Sequence, residues 1–199
     1  MRPMIELRDL RKVWNPATPK ALTAIEGLSL DVAPGEVFVV MGLSGSGKST
    51  LIRHINRLIE PTAGEVLYDN VDVCRMTQLE LRDFRRQKTA MVFQKFALLP
   101  HRTVLENTVY GLDIQGMDRS KSEAIGRRWI ERVGLTGFEQ HYPNQLSGGM
   151  QQRVGLARAL SIYADILLMY VAYSALVPLI RVYMQTFLIY LQQELKKTV

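Results

Sequence analysis

The chain has 199 residues, of which 47% are hydrophobic, which is enough apolar material for one folded domain with a sizeable core. Cys74 is the single cysteine, so an internal disulfide is excluded, and the N-terminus does not resemble a secretory signal; we therefore expect a reducing, cytoplasmic setting. The formal net charge of +6 comes from scattered Lys and Arg residues, which favours an ordinary solvated surface over a nucleic-acid site.

The first part of the chain predicts two strands, a third strand and a helix. Residues 4–13 and 24–32 alternate apolar and polar side chains, which indicates half-exposed strands. Residues 36–41 form a continuous apolar run, typical of a strand buried on both faces of a parallel sheet. Residues 49–59 place apolar side chains at helical spacing, and Pro61 ends this pattern.

The rest of the chain predicts further strands and helices of the same kind. Strands are expected at 65–73, 89–93 and 165–171, and helices at 120–133, 149–160 and 178–197. The uncharged run 166–180 contains Pro178 and is shorter than the roughly 20 residues that a membrane-spanning helix needs. We therefore interpret this run as buried core rather than as a transmembrane helix.

Residues 42–49 read Gly-Leu-Ser-Gly-Ser-Gly-Lys-Ser and match the phosphate-loop pattern at every specified position. Glycines allow successive backbone N–H groups to turn toward phosphate oxygens, at a helix N-terminus that carries about half a positive charge. Lys48 would neutralise the β- and γ-phosphates, and the Ser49 hydroxyl would ligate Mg²⁺. The alternative is a Gly/Ser turn that contains a lysine by chance.

Residues 146–153 read Leu-Ser-Gly-Gly-Met-Gln-Gln-Arg. Ser147 can cap a helix that begins near Gly149, and the two glycines leave backbone N–H groups open to an anion. The peptide resembles the signature of ATP-binding cassette proteins. This resemblance implies that the helix end binds the γ-phosphate of ATP held by an opposite subunit, so that two cassettes work head to tail. A helix cap without a ligand is the alternative.

Two further residues fit the same resemblance. Gln94 follows the strand 89–93 and resembles the Q-loop glutamine, which in the family touches the metal and the attacking water. Trp14 resembles the aromatic residue that stacks on adenine, although an ordinary core tryptophan is the alternative. The positions expected to bind the nucleotide are Trp14, Gly42, Ser44, Gly45, Ser46, Gly47, Lys48, Ser49, Thr50, Gln94, Ser147, Gly148, Gly149 and Gln151, with Ser49 and Gln94 also at the metal.

Longer strings at 38–56, 56–62 and 93–101 resemble the ATPase subunits of glycine betaine/proline importers. The resemblance implies an α/β P-loop NTPase with a mostly parallel core sheet, an N-terminal antiparallel β subdomain and a helical signature subdomain at about 97–160. It implies one nucleotide-binding domain, incomplete, over 1–199. His101, a single histidine without partners, is interpreted as a loop residue at the permease contact rather than as a metal ligand.

The same resemblance implies ligands, partners and a location. The ligands are ATP and Mg²⁺. The partners are a second cassette, membrane permease subunits and, indirectly, a substrate-binding protein, with no nucleic acid. The location is peripheral, on the cytoplasmic face of a bacterial inner membrane.

After residue 169 the chain departs from the family pattern, which continues with an aspartate, a catalytic glutamate and Ser-Ala-Leu-Asp. Tyr170 stands at the metal-holding aspartate, Val171 at the glutamate and Val177 at the last aspartate. A neutral phenol or an isopropyl group can neither hold the metal shell nor accept a proton from water. We therefore expect no intact catalytic residue, and nucleotide binding with little or no hydrolysis.

Three functions stay open at this point. The first is the ATP-binding subunit of an importer for glycine betaine, proline or a related osmolyte. The second is a non-hydrolysing regulatory module that pairs with an intact cassette. The third is a nonfunctional fragment that does not fold stably. A kinase would leave the signature peptide unexplained.

Overall fold

The structure is a computed structural model that describes residues 2–93, 97–169 and Thr198. Contacts divide these residues into two units. The first contains residues 2–85 with Thr198, and the second contains residues 86–93 and 97–169. The helix expected at 178–197 and the last two residues of the strand expected at 165–171 lie outside the described residues.

An antiparallel sheet forms the framework of the first unit. Strand β1 (Ile5–Trp14) pairs with β2 (Leu22–Val32) on one side and with β3 (Ala63–Tyr68) on the other, and β3 pairs with β4 (Val71–Asp72). Leu7, Leu10 and Val66 on this sheet are at most 1% exposed. The pairing of β1 with β2 has a register irregularity between Leu7 and Leu10, so the buried side chains of β1 do not follow strict alternation. The strands predicted at 4–13 and 24–32 are nevertheless confirmed.

Residues 36–43 differ from expectation because they form neither a helix nor a strand. Val39 and Met41 are 57% and 86% exposed, although an apolar run of this kind predicts burial. A strand is stabilised by hydrogen bonds to its neighbours, and none of the strands in the described ranges pairs with this segment. The apolar composition of residues 36–41 therefore predicted a buried strand, but no strand in the described ranges lies beside this segment to pair with it.

Helix α1 (Lys48–Ile55) follows the phosphate loop and ends four residues before the predicted boundary. Asn56 closes it, and Arg57 then adopts a left-handed backbone conformation with φ 51°. The Arg85 Nε donates to the Asn56 carbonyl oxygen at 2.8 Å, so a tertiary contact satisfies the end of the helix. Helix α2 (Gln78–Gln87) comes later in the chain, after a short 3₁₀ turn at Val73–Arg75.

The second unit contains a parallel pair of strands, β5 (Thr89–Val92) and β6 (Ile166–Met169). Ala90, Val92 and Leu167 are 3–4% exposed, which agrees with the apolar runs predicted for buried parallel strands. Residue pairs run from Thr89 with Ile166 to Val92 with Met169, so both strands end at the same edge.

Helices α3 (Val104–Ile114), α4 (Arg119–Arg132) and α5 (Gly148–Ser161) pack against one another in the second unit. Trp129 and Ile130 are fully buried between them. Helices α4 and α5 were predicted within one residue at each end, whereas α2 and α3 are absent from the sequence-based predictions. No helix in the described ranges is long and apolar enough to cross a membrane.

Candidate nucleotide-binding site

The phosphate loop ends at a helix N-terminus that rests against β2. Gly47 is the N-cap of α1, with φ 87° and ψ −1°, and has no side chain that could cap the first turn. A Cβ atom at this position would lie 2.5 Å from the Ala24 carbonyl oxygen. Only glycine combines this backbone conformation with so close an approach, and it leaves the first N–H groups of α1 for an anion.

The Lys48 ammonium folds back onto the loop. Its Nζ donates to the carbonyl oxygens of Gly42 at 2.7 Å and Leu43 at 2.5 Å, and to the Ser46 hydroxyl at 3.1 Å. All of these acceptors are neutral. A phosphate carries a negative charge that these acceptors lack, so its Coulomb attraction for the ammonium lets it compete effectively with them. The first turn of α1 has no acidic side chain that would repel such an anion.

The rest of the loop is open to a ligand. Ser44, Gly45 and Ser46 are exposed, while Ser49 and Thr50 are half-buried in the first turn of α1. A Cβ atom on Gly42 would lie 2.7 Å from the Ser46 hydroxyl, so this glycine leaves the space in which the loop closes on itself. The structure thus brings the predicted residues 42–50 together as one continuous cradle.

His54 lies behind the cradle, on the face of α1 that points away from solvent. It is fully buried, and its Nδ1 lies 2.6 Å from the Thr50 carbonyl oxygen. Burial lowers the pKa of the His54 imidazole. The neutral ring with a proton on Nδ1 donates to Thr50, and no hydrogen-bond partner contacts Nε2 among the described residues.

Trp14 lies near the cradle along the antiparallel sheet. It pairs with Leu22, two residues before Ala24, whose carbonyl oxygen approaches Gly47. Trp14 is 38% exposed, which does not fit the alternative of a core tryptophan.

Sequence reasoning did not identify two other contributors to this region, the Ala24 carbonyl oxygen and Lys12. The Lys12 Nζ lies 4.6 Å from the centroid of the Trp14 ring. Lys12 and Trp14 are two residues apart on β1, and this spacing was the sequence signal that their side chains share one face of the strand. The approach of the Ala24 carbonyl oxygen to Gly47 depends on the tertiary fold, and no local sequence pattern predicts it.

The signature peptide forms the N-terminus of α5 in the second unit. The Ser147 hydroxyl accepts a hydrogen bond from the Met150 N–H at 3.3 Å, so the predicted cap is confirmed. Ser147 and Gly148 are exposed, and a Cβ atom on Gly148 would meet nothing within 4 Å. The Gln151 amide donates to the carbonyl oxygens of Pro143 at 2.9 Å and Leu146 at 3.3 Å, which holds the turn before the helix.

The remaining site positions lie outside the described residues. These are Gln94, Tyr170 and Val171, which follow the ends of β5 and β6 in the sequence. His101 is exposed in a turn. Within residues 2–93 and 97–169, no group of three or more His, Cys, Asp or Glu side chains is arranged to hold a metal ion.

Comparison with known proteins identifies the family. A family model described as ABC transporter matches residues 25–169. The chain is 58% identical over 169 residues to the glycine betaine transport ATP-binding protein OpuAA of Bacillus subtilis, covering 85% of this chain and 40% of that protein. It is 53% identical over 214 residues to the glycine betaine/proline betaine transport system ATP-binding protein ProV of Escherichia coli, covering 98% and 54%. The chain thus spans about half the length of these curated relatives.

Solved structures agree with this result. The dimeric post-hydrolysis state of the ATP-binding cassette MJ0796, bound to ADP and Pi, matches with a TM-score of 0.90 and 35% identity. The match covers 98% of this chain and 86% of that one. The expected fold, with an antiparallel sheet, parallel strands and a helical signature region, is confirmed. The chain belongs to the ABC transporter family and has the fold of its ATP-binding cassettes.

Proposed function

We propose that this chain is the nucleotide-binding subunit of an ABC importer and that residues 42–50 bind the phosphates of Mg-ATP. One observation carries the proposal: the Lys48 ammonium lies within an open glycine loop at an uncapped helix N-terminus. Backbone amides, the helix dipole and one fixed cation together suit a polyphosphate better than any neutral ligand.

Other residues of the same region supply the remaining contacts. The exposed Trp14 offers a π face to adenine, and its partner Leu22 lies on β2 two residues before Ala24. The Ser49 hydroxyl, with Gln94, would hold Mg²⁺. When bound, this ion neutralises charge on the β- and γ-phosphates.

The signature helix supports a paired arrangement of two cassettes. Ser147 and Gly148 are exposed at the N-terminus of α5, where a helix dipole favours an anion. In the proposed dimer, residues 147–149 contact the γ-phosphate of ATP bound to the opposite subunit, with Gln151 supporting that turn. The matching cassette MJ0796 was solved as a dimer bound to ADP and Pi, which supports this arrangement.

The names of the relatives indicate which class of solute the importer transports. OpuAA and ProV carry glycine betaine in their names, and a further relative from Listeria monocytogenes, 52% identical over 179 residues, is named for glycine betaine and carnitine. We propose that the importer takes up glycine betaine, proline or a related osmolyte. In it, the chain works with permease subunits and a substrate-binding protein, at the cytoplasmic face of the inner membrane.

A second candidate function follows from the sequence after β6. By the family resemblance, Tyr170 and Val171 stand at the positions of the two carboxylates that hold the metal and activate water. Loss of a general base alone lowers a rate by about 10²- to 10⁴-fold. The candidate is a non-hydrolysing subunit that binds ATP and pairs with an intact cassette.

Titration with a fluorescent ATP analogue tests the phosphate-loop assignment. We expect Lys48→Ala to weaken binding at least about tenfold, since it removes a charge-assisted contact to phosphate. Equal affinities of the parent chain and of K48A for the ATP analogue would contradict the assignment of residues 42–50 as the phosphate-binding loop.

Phosphate release separates the two candidate functions. The chain alone and a mixture with an intact cassette from a betaine importer are assayed side by side. Activity that rises in the mixture beyond that of the intact cassette supports the paired, non-hydrolysing role. Turnover by the chain alone contradicts that role and supports an active ATPase.

A further inference from the structure

Lys12 places a positive charge over one face of the Trp14 indole. The 4.6 Å between its Nζ and the ring centroid is well within the distance of about 6 Å at which a cation is attracted to an aromatic quadrupole. Both residues lie on β1, separated by one position, so their side chains leave the same face of the strand.

A second contact holds the ammonium in this position. The Lys12 Nζ also donates to the Glu60 carbonyl oxygen at 2.8 Å. Glu60 lies between α1 and β3, and its carboxylate accepts a hydrogen bond from the Arg57 Nε at 2.7 Å. A carbonyl oxygen orients the ammonium without neutralising it, so the charge stays available to the ring.

We infer that Lys12 is a positioning residue for the nucleotide base: it holds the Trp14 indole from one face so that the opposite face receives adenine. This inference rests on the proposed function, because it needs an adenine to be stacked on Trp14. In this inference Lys12 affects the binding of the adenine base through Trp14, and it makes no direct contact with the phosphates.

The physical reason is preorganisation of an exposed aromatic side chain. Trp14 is 38% exposed even with Lys12 over one face, so the ring still offers surface to a ligand. An exposed indole loses rotamer freedom when a base stacks on it, and this loss weakens binding. Lys12 fixes the ring before the nucleotide arrives, since its own position is fixed by Glu60.

Two variants of Lys12 test the inference with two ligands. Lys12→Met keeps an unbranched side chain and removes the charge, whereas Lys12→Arg keeps a cation that stacks on aromatic rings. Calorimetric titration measures the affinity for ATP and for inorganic tripolyphosphate, which has no base. We expect K12M to weaken ATP binding by about two- to fivefold and to leave tripolyphosphate binding unchanged. K12R should restore the affinity for ATP.

A double-mutant cycle with Trp14→Ala completes the test. In the W14A background, K12M should cause no further loss of ATP affinity, because the ring through which it acts is absent. Equal losses for ATP and tripolyphosphate would show that Lys12 acts on the phosphate site rather than on the base, and would overturn the inference. Unchanged ATP affinity in K12M or in W14A would overturn it as well.

Failure of the underlying nucleotide site gives a different result. In that case Lys48→Ala leaves the affinities for both ligands unchanged. Tripolyphosphate binding by K12M also reports whether this variant retains a folded phosphate loop.

Discussion

The Ala24 carbonyl oxygen in β2 lies 2.5 Å from the position that a Cβ atom on Gly47 would occupy. Gly47 also has φ 87°, in the left-handed region. Two separate reasons therefore require glycine at position 47: its left-handed backbone conformation and its close approach to the sheet. This relationship sets the position of the helix N-terminus at which the phosphates are proposed to bind.

Gly47→Ala should disrupt both folding and nucleotide binding. The left-handed conformation costs about 1–2 kcal/mol for a residue with a Cβ atom, and the contact with Ala24 adds a steric term. We expect urea unfolding to show a loss of at least about 1 kcal/mol, and ATP affinity to fall at least about tenfold because the loop is displaced.

Gly45→Ala is the matched control. Gly45 has φ 84°, but a Cβ atom there would meet nothing within 4 Å. This variant has the conformational cost without the contact. If G45A and G47A lose equal stability, the contact with Ala24 has no energetic role.

His54 should make the stability of the first unit depend on pH. Burial lowers the pKa of this imidazole in the folded state, whereas the unfolded chain has the ordinary value of 6.5. Below that pH the unfolded chain therefore binds more protons than the folded chain. The contribution of neutral His54 is fully present above about pH 6.5 and is lost as the pH falls toward the lower, folded-state pKa.

Urea unfolding at pH 7.5 and pH 5.5 measures this effect. Asparagine in His54→Asn keeps a side-chain donor for Thr50 and does not titrate. This variant should therefore show a smaller difference between the free energies of unfolding at the two pH values. His101→Gln, at an exposed turn, is the control for the loss of a histidine. An H54N protein with the same pH dependence as the parent would contradict the role of His54.

Ser147 should stabilise the signature helix through its cap. Replacing an N-cap serine by alanine costs about 1 kcal/mol. We expect Ser147→Ala to lower stability by this amount in chemical denaturation, since Met150 N–H loses its acceptor.

Ser147→Asp separates capping from anion binding. Aspartate caps a helix as well as serine does, so stability should stay close to that of the parent. Its negative charge would repel a γ-phosphate, so ATP-dependent pairing with a second cassette should be lost. Pairing that survives in S147D, measured by light scattering with ATP, would count against the proposed dimer contact.

Gly126 should be required for packing between α3 and α4. A Cβ atom at this position would lie 2.4 Å from Val109 Cγ1 and 2.9 Å from Leu105 Cδ1. Overpacking of this kind costs about 1–3 kcal/mol, so Gly126→Ala should lower the free energy of unfolding by that amount. Val109→Ala in the same chain should recover part of the loss, and no recovery would show that another contact limits the space.

Local patterns were sufficient for elements whose signal lies in consecutive residues. The phosphate loop and the signature peptide could be recognised because their chemistry resides in neighbouring backbone amides, with Lys48 and Ser147 at defined offsets. Helices α4 and α5 followed from their periodicity. Helix α3 also has a local signal at its N-terminus, because Thr103 and Glu106 form a capping box.

Tertiary structure decided the features that depend on register and on partner strands. Apolar composition at 36–41 predicted burial, but a strand forms only when neighbouring strands accept its hydrogen bonds. The proximity of Trp14 to the phosphate loop follows from its pairing with Leu22, and the contact between Gly47 and Ala24 has the same origin. The sequence by itself determined the family and the peptide that is proposed to bind phosphate, because both signals lie in consecutive residues. The placement of the aromatic ring, its lysine and the helix N-terminus depends on distant backbone segments, so only the folded chain decides it.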